Sequence, residues 1–114
     1  MLSVPSHVAI YLHTEPTDMR KGFDGLSGVI RGQFGSDPQD SSLFVFVNRR
    51  QDRMKMLHWD GSGYWIYYRR LEAGTFEMPR SAEGRVQIDA AQLAMLLAGI
   101  PLRIDRRRKR YRVA

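Results

Sequence analysis

Five acidic residues could supply the metal ligands of an enzyme that cuts or transfers DNA strands: Asp18, Asp24, Asp52, Asp60 and Glu72. Such chemistry needs several carboxylates around a pair of ions about 4 Å apart. Most of these residues also have an ordinary structural explanation, because Asp18 can cap a helix and Asp60 opens a turn. We therefore expect no catalytic residue and keep a small metal-dependent nuclease as the least favoured hypothesis.

Other catalytic and cofactor sites find little support in the residue types. The chain has no cysteine, which excludes disulfides, thiolate zinc sites and a cysteine nucleophile. His7, His13 and His58 lack the close spacing of metal-binding histidines. No GxSxG or phosphate-loop motif occurs. We expect no metal, no cofactor and no small-molecule substrate.

Basic residues lie among aromatic residues in the middle of the chain, a combination that suits phosphate contact together with base stacking. One group spans a loop and the start of a strand, and the other ends the next strand. An ordinary half-buried hairpin, with its aromatic side chains in the core, remains an open alternative. The candidate nucleic-acid-binding residues here are Arg49, Arg50, Arg53, Lys55, Arg69 and Arg70.

The net charge of +6 is confined to the last twelve residues. Residues 1–102 contain eleven basic and eleven acidic side chains, whereas residues 103–114 contain seven basic side chains and one aspartate. Dense like charge opposes folding, so we predict one compact domain, 1–102, followed by a flexible basic arm, 103–114. Such an arm can bind DNA by releasing counterions, or it can bind an acidic protein or improve solubility. Its candidate DNA contacts are Arg106, Arg107, Arg108, Lys109, Arg110 and Arg112.

Length and composition are those of a small globular protein. A chain of 114 residues with 43% hydrophobic and 26% charged residues fits one domain. No apolar run approaches the roughly 20 residues that span a bilayer, and the N-terminus does not resemble a signal peptide. We expect a cytoplasmic protein that does not enter membranes.

The hydrophobic pattern predicts strands at residues 8–12, 43–47, 53–59, 64–71, 75–78 and 85–88. Asp60-Gly61-Ser62-Gly63 is typical of a hairpin turn. The short connections between residues 43 and 78 favour an antiparallel meander. The predicted fold is α+β, an antiparallel sheet of four to five strands (β-meander 43–78) with two helices packed on it and a basic C-terminal tail.

The first predicted helix begins at Thr17 or Asp18 and carries apolar residues at helical spacing up to residue 34. Gly22, Gly25, Gly28 and Gly32 fall on one flank of it. Each interior glycine costs about 1 kcal/mol relative to alanine. The glycines therefore indicate close packing, an exposed backbone for DNA or a partner, or an early end near residue 32 or 35.

The second predicted helix begins with a capping box formed by Asp89 and Gln92. Gly99 and Pro101 supply the usual punctuation at its C-terminal end.

Residues 17–26, 43–46, 49–55, 59–63, 70–76 and 92–100 follow one another in the order and at the spacing of a known family. Together these segments resemble the TnpB accessory proteins, which are encoded by the second open reading frame of insertion sequence 66 family elements. His58 and Met78 depart from the usual family residues. The most family-like residues are Asp18, Met19, Arg20, Lys21, Gly22, Phe23, Asp24, Gly25, Trp59, Asp60 and Gly61.

This resemblance implies a non-catalytic role in DNA transposition beside a separate transposase, and it brings no established active site. Two hypotheses of different classes follow. In the first, the chain binds DNA or helps to assemble the transposase complex, with the basic residues contacting phosphates. In the second, the chain is an adaptor that docks on the transposase through the glycine-lined helix without direct DNA contact.

Overall fold

The computed structural model describes residue 5 and residues 7–102, and the elements follow the predicted α+β order. The candidate contacts in the basic arm, from Arg106 to Arg112, lie outside the described residues. No helix of the described part is long and apolar enough to cross a membrane. The elements are β1 (Ile10–His13), α1 (Phe23–Val29) with a continuing π-helical turn (Ile30–Phe34), β2 (Leu43–Val47), β3 (Arg53–Trp59), β4 (Tyr64–Arg70), β5 (Arg85–Ile88) and α2 (Ala90–Leu97).

The five strands form one sheet in the order β4-β3-β2-β1-β5. Strands β2, β3 and β4 form the predicted antiparallel meander, and β5 is antiparallel to β1. The sheet is therefore mostly antiparallel, as predicted, and the β1–β2 pair alone among the four strand pairs of the described residues is parallel. The connection between these two strands contains α1, and a crossover of that length allows parallel neighbours.

The predicted strand at residues 75–78 was wrong, because the meander ends at β4. Phe76 is fully buried, and its amide donates to the carbonyl of Gln51 over 2.6 Å. The amide of Met78 donates to the Gln51 side-chain oxygen over 3.1 Å. These amides are engaged by the β2–β3 turn, so the segment forms no ladder with a neighbouring strand.

The two faces of the sheet carry separate apolar clusters. On one face, which we call the α1 face, Leu26 of α1 and Ile30 of the π-helical turn pack on Phe44 and Phe46 of β2. On the other, the α2 face, the core is built from Leu93 and Leu96 of α2, Phe76, and inward residues of β1, β2 and β3. Burying one large apolar side chain contributes about 1.5–3 kcal/mol, so both helices are held mainly by packing.

Helix α1 starts later than predicted, at Phe23, with Gly22 as its N-cap residue and no side-chain cap. Asp18 does not cap the helix, because its carboxylate binds the amide and guanidinium of Arg20 two residues later. The helical segment ends at Gly35, whose φ of 64° lies in the left-handed region that favours glycine. The prediction that the helix ends near residue 35 is confirmed.

The capping box of α2 is present as predicted. The Asp89 carboxylate accepts from the Gln92 amide over 2.8 Å, and the Gln92 side chain accepts from the Asp89 amide over 3.0 Å. Replacing such a cap by alanine typically costs about 1 kcal/mol.

Candidate nucleic-acid interface

An open cleft of about 720 Å³ lies where three parts of the chain meet at one end of the sheet. Residues 16–20 form one wall, residues 48–50, 52 and 53 of the β2–β3 region form another, and Tyr68 of β4 completes the lining. Four guanidinium groups line this space, and we call it the arginine cleft. Its arginines are Arg20, Arg49, Arg50 and Arg53.

The β2–β3 turn presents Arg49 and Arg50 on a fixed backbone. The side-chain oxygen of Asn48 accepts from the amides of Asp52 and Arg53 at 3.1 and 3.0 Å. Its side-chain nitrogen donates to the Asp52 carboxylate over 2.7 Å. Gln51 lies in this turn, so its two contacts with residues 76 and 78 anchor the turn from behind. Both arginine side chains are exposed on this turn.

The opposite wall is tied to β3 by Lys55. Its ammonium donates to the Lys21 carbonyl over 2.8 Å and lies 4.8 Å from the centre of the Tyr68 ring. Thr17 lines the cleft from the same wall and is only 6% exposed. Its buried hydroxyl has no hydrogen-bond partner within the described residues. Lys55 therefore acts in the structure as a support for the wall that carries Arg20.

Both acidic side chains of the cleft are held by neighbouring groups. The side chain of Arg20, followed by its amide, lowers the pKa of Asp18 to about 2. The side-chain amide of Asn48, assisted by Arg53 and Arg50, lowers the pKa of Asp52. Four guanidinium groups face two carboxylates, so the cleft has an excess of positive charge. Among the described residues, Asp18 and Arg20 form the cleft's one ion pair.

The structure brings some of the predicted basic residues together and separates others. Arg49, Arg50 and Arg53 share the cleft. Arg70 is the register partner of Arg53, but its guanidinium is paired with Glu72 at 2.8 Å. Arg69 pairs with Met54, whose side chain lies in the α2-face cluster. Arg69 therefore projects from the α2 face, away from the side of the sheet that carries Arg53.

The hairpin aromatics divide between packing and exposure. Tyr64 packs on the α1-face cluster and meets Trp59 edge-on at 5.0 Å. Trp65 and Tyr68 are more than half exposed, on opposite faces of β4. The ordinary-hairpin interpretation therefore accounts for Tyr64, while Tyr68 remains available as a ring in the cleft.

Asp60 and His58 have structural contacts of their own. Asp60 accepts from the amides of Ser62 and Gly63 and from the indole of Trp65. A ring nitrogen of His58 lies 3.4 Å from the Ser42 carbonyl. Within the described residues, no three acidic or histidine side chains converge as metal ligands would.

The helix glycines do not provide the close packing that the sequence indicated. A Cβ atom added at Gly22, Gly28 or Gly32 would meet nothing within 4 Å. At Gly25 it would come within 3.0 Å of the Lys21 side chain. Among the four, Gly25 alone is in tight contact, so close approach of another element does not explain the glycine flank.

Comparison with known proteins identifies the family. The model of the family described as IS66 Orf2-like protein matches residues 8–107, which is most of the chain. The chain belongs to the IS66 Orf2-like family. Membership indicates an accessory role in the transposition of an insertion sequence.

Two relatives in Sinorhizobium fredii, both uncharacterised, are similar over most of their length. The protein y4hO is 36% identical over 103 residues, which cover 90% of each chain. The protein y4jC is 31% identical over 100 residues, which cover 88% of this chain and 86% of the relative. No solved structure matches the chain with significance.

The family-like residues of this IS66 Orf2-like protein lie at both ends of β3, and Phe23 links the two groups by stacking on Tyr64, which meets Trp59 edge-on. The segment with Asp18 and Arg20 forms a wall of the cleft, whereas Trp59, Asp60 and Gly61 lie at the β3–β4 turn, beyond the other end of β3. Sequence reasoning named Arg20 only as a motif residue and did not single out Thr17, Asn48 or Tyr68 as parts of a site. The sequence itself shows a polar cluster before α1, made of Thr17, Asp18, Arg20 and Lys21. Its position beside residues 48–53 depends on the β1–β2 crossover, which the sequence pattern does not show.

Proposed function

We propose that the arginine cleft binds the phosphate backbone of DNA and that the chain supports transposition by holding DNA beside the transposase. The observation that carries this proposal is the convergence of Arg20, Arg49, Arg50 and Arg53 on one open cleft. A guanidinium group has a fixed planar array of donors that matches phosphate oxygens.

The cleft has the charge and the hydrogen-bonding capacity that a phosphate requires. Within the described residues, Arg49, Arg50 and Arg53 have no carboxylate at ion-pair distance. Each guanidinium also carries several N–H donors in a fixed planar array, so these unpaired arginines supply both the charge and the donors.

The cleft is suited to positioning DNA and not to selecting a sequence. Contacts to phosphate fix the register of a protein on DNA but carry no direct sequence information. The exposed Tyr68 ring at the edge of the cleft can stack on an unpaired base, as in proteins that bind single strands. We therefore expect weak sequence preference and a strong dependence of affinity on salt.

The basic segment 103–114 is the second proposed DNA contact, and a series of contacts from the end of α2 to the β2–β3 turn supports it. A Cβ atom at Gly99 would lie 3.5 Å from the carbonyl of Thr75. The next residue, Phe76, is hydrogen-bonded to Gln51 in the turn that carries the cleft arginines. This continuity supports a single DNA path that includes the cleft and the basic segment.

The test is a salt series of DNA binding by fluorescence anisotropy on the full chain. Arg50→Ala should lower affinity and reduce the slope of log affinity against log salt by about one. Arg31→Ala is the matched control, because Arg31 is exposed on the π-helical turn and does not line the cleft. Equal effects of the two substitutions would refute the cleft as the binding surface.

Removing residues 103–114 separates the contribution of the basic segment from that of the cleft. We expect the truncated chain to bind more weakly and with a smaller salt slope, while Arg50→Ala still weakens what remains. Unchanged binding after truncation would remove the basic segment from the proposal.

The glycine flank of α1 supports a second candidate function, an adaptor that docks on the transposase. Gly28 and Gly32 lie in a helical segment at a cost of about 1 kcal/mol each, yet their sites face open space. An external partner that approaches the backbone closely would explain them. Gly28→Ala and Gly32→Ala should then weaken co-purification with the transposase in the absence of DNA, whereas Ala94→Gly, at an exposed position of α2, should not.

A further inference from the structure

Strand β4 is a long, exposed edge of the sheet. It has seven residues, contains no proline, and pairs on one side with β3. Trp65 and Tyr68 are 54% and 53% exposed on it. The opposite edge, β5, has only four residues. Proteins usually protect long edges with prolines, bulges or spread charges, because the unpaired backbone of an edge is a template for another strand.

The hydrogen-bond ladder shows which backbone groups of β4 face outward. The Asp60 amide donates to the Gly63 carbonyl, and the Leu71 amide donates to the Asp52 carbonyl. Bonded and non-bonded pairs alternate in an antiparallel ladder, so the odd-numbered residues of β4 bond to β3. The even-numbered residues direct their amides and carbonyls away from the sheet. These are Tyr64, Ile66, Tyr68 and Arg70.

The side chains of β4 are complementary to a second, antiparallel copy of the same strand. Suppose that a two-fold axis passes between Tyr67 of one copy and Tyr67 of the other. All seven residues of β4 then lie opposite β4 of the second copy, and every outward amide and carbonyl has a hydrogen-bond partner. Arg69 then lies opposite the exposed Trp65 of the second copy, while Arg70, which is paired with Glu72, lies opposite the partly buried Tyr64 of the second copy. A guanidinium group over an aromatic ring is attractive, whereas two opposed arginines would repel.

Other symmetric registers are poorer. Moving the axis to Ile66 places both arginines beyond the aromatic residues, opposite Gly63 and Ser62 of the second copy. Moving it to Tyr68 keeps Arg69 opposite an aromatic residue, Tyr67 of the second copy, but places Arg70 opposite Ile66 and leaves both strand starts unpaired. Full overlap of the strands, together with the charge and aromatic pattern, therefore favours the axis at Tyr67.

We propose that two copies of the chain dimerise by pairing β4 with β4 in this register, which joins their sheets into one. This inference is independent of the proposed DNA binding. The two-fold axis stands perpendicular to the sheet, so both arginine clefts open on the same side of the dimer. Strand spacing of about 4.8 Å and a rise of about 3.4 Å per residue separate the two Arg53 positions by roughly 25 Å.

Single cysteines test the register, because the natural chain has none. In Tyr67→Cys the two new thiols face each other with Cα atoms about 4.5 Å apart, within disulfide range. Trp65→Cys is the matched control, since its own copy lies roughly 14 Å away along the strands. Mild oxidation of the full chain should give a covalent dimer with Tyr67→Cys and not with Trp65→Cys. Stronger linkage at the more exposed Trp65 position would indicate random collision and would overturn the register.

A second test avoids the partly buried Tyr67. Trp65→Glu places a carboxylate opposite Arg69 of the second copy, whereas Trp65→Lys places a like charge there. Light scattering should show a dimer for the natural chain and for Trp65→Glu, and a monomer for Trp65→Lys. Adding Arg69→Glu to Trp65→Lys should restore the dimer, and circular dichroism checks that each variant is folded.

A monomeric natural chain would overturn the proposal. So would protection of β4 amides from hydrogen exchange only when transposase is added, because that outcome assigns the edge to another protein. Each arginine cleft is formed by one copy alone. Either of these results would therefore overturn the dimer without affecting the proposed DNA binding, which the salt series tests separately.

Discussion

The Lys55 ammonium donates a hydrogen bond of 2.8 Å to the Lys21 carbonyl, which ties β3 to the wall of the cleft that carries Arg20. A cation held in this way acts on DNA binding mainly through position. Lys55→Met should reduce the free energy of unfolding by about 1–2 kcal/mol, as expected for loss of a charged hydrogen bond. Arg53→Ala, at an exposed position, should weaken DNA binding with little loss of stability.

Urea unfolding and anisotropy on both variants check this division of roles. Lys55→Met should lose stability and affinity together, while Arg53→Ala should lose affinity alone. Full stability of Lys55→Met would contradict the supporting role and would return Lys55 to the set of direct phosphate contacts.

Asn48 organises the β2–β3 turn without carrying a charge. It accepts from the amides of Asp52 and Arg53 and donates to the Asp52 carboxylate. Asn48→Ala should reduce the free energy of unfolding by about 1 kcal/mol, because the amides of Asp52 and Arg53 lose their side-chain acceptor. It should also weaken DNA binding while leaving the salt slope unchanged, since no phosphate-binding charge is removed.

Asn48→Asp refines this test. The new carboxylate keeps the acceptor for the two amides but repels Asp52, so we expect a stability between those of the natural chain and Asn48→Ala. A reduced salt slope in Asn48→Ala would contradict the prediction, because it would indicate that a charge contact had been lost.

Much of the fold could be predicted because its signals are local. The capping box of Asp89 and Gln92 and the hairpin turn at Asp60 each depend on residues a few positions apart. The start of α1 was misplaced by another local effect, because Arg20 binds the Asp18 carboxylate that would otherwise cap the helix. Residues 75–78 were misjudged because their amides are bound by Gln51, which lies far away in the sequence.

The candidate site could be predicted only in part. Arg49, Arg50 and Arg53 stood out by residue type and spacing, whereas their convergence with Arg20 depends on the crossover between β1 and β2. The support given by Lys55 and the unpartnered Thr17 hydroxyl depend on side-chain positions that no pattern reveals. Arg69 and Arg53 are on opposite faces because side chains alternate along paired strands, so only Arg53 reaches the cleft.

The Asp60 carboxylate should titrate well below the usual range. The Ser62 amide, the Trp65 indole and the Gly63 amide lower its pKa to about 2. Because the folded pKa is below the ordinary value of 3.8, this group stabilises the fold above that value. The contribution is lost as the pH falls towards 2.

Carboxyl chemical shifts measured by NMR during acid titration check the Asp60 pKa. Trp65→Phe removes one donor and should raise the midpoint, whereas Trp59→Phe leaves the three donors in place and serves as the control. Asp60→Asn should reduce the dependence of stability on pH between 4 and 2. Part of this pH dependence should remain in the variant, because the pKa of Asp18 is also lowered to about 2. A midpoint of Asp60 near 3.8 would show that the turn does not hold the carboxylate as described.

Gly28→Ala should stabilise the isolated chain. Gly28 lies in α1 with ordinary helical backbone and open space around its Cβ position. Alanine in a helix is favoured over glycine by about 1 kcal/mol, so thermal unfolding should occur at a higher temperature. Gly25→Ala is the contrast, because its Cβ would lie 3.0 Å from the Lys21 side chain and part of the gain would be lost. If Gly28→Ala instead destabilises the chain, the flank packs against something, and its openness to a partner would be disproved.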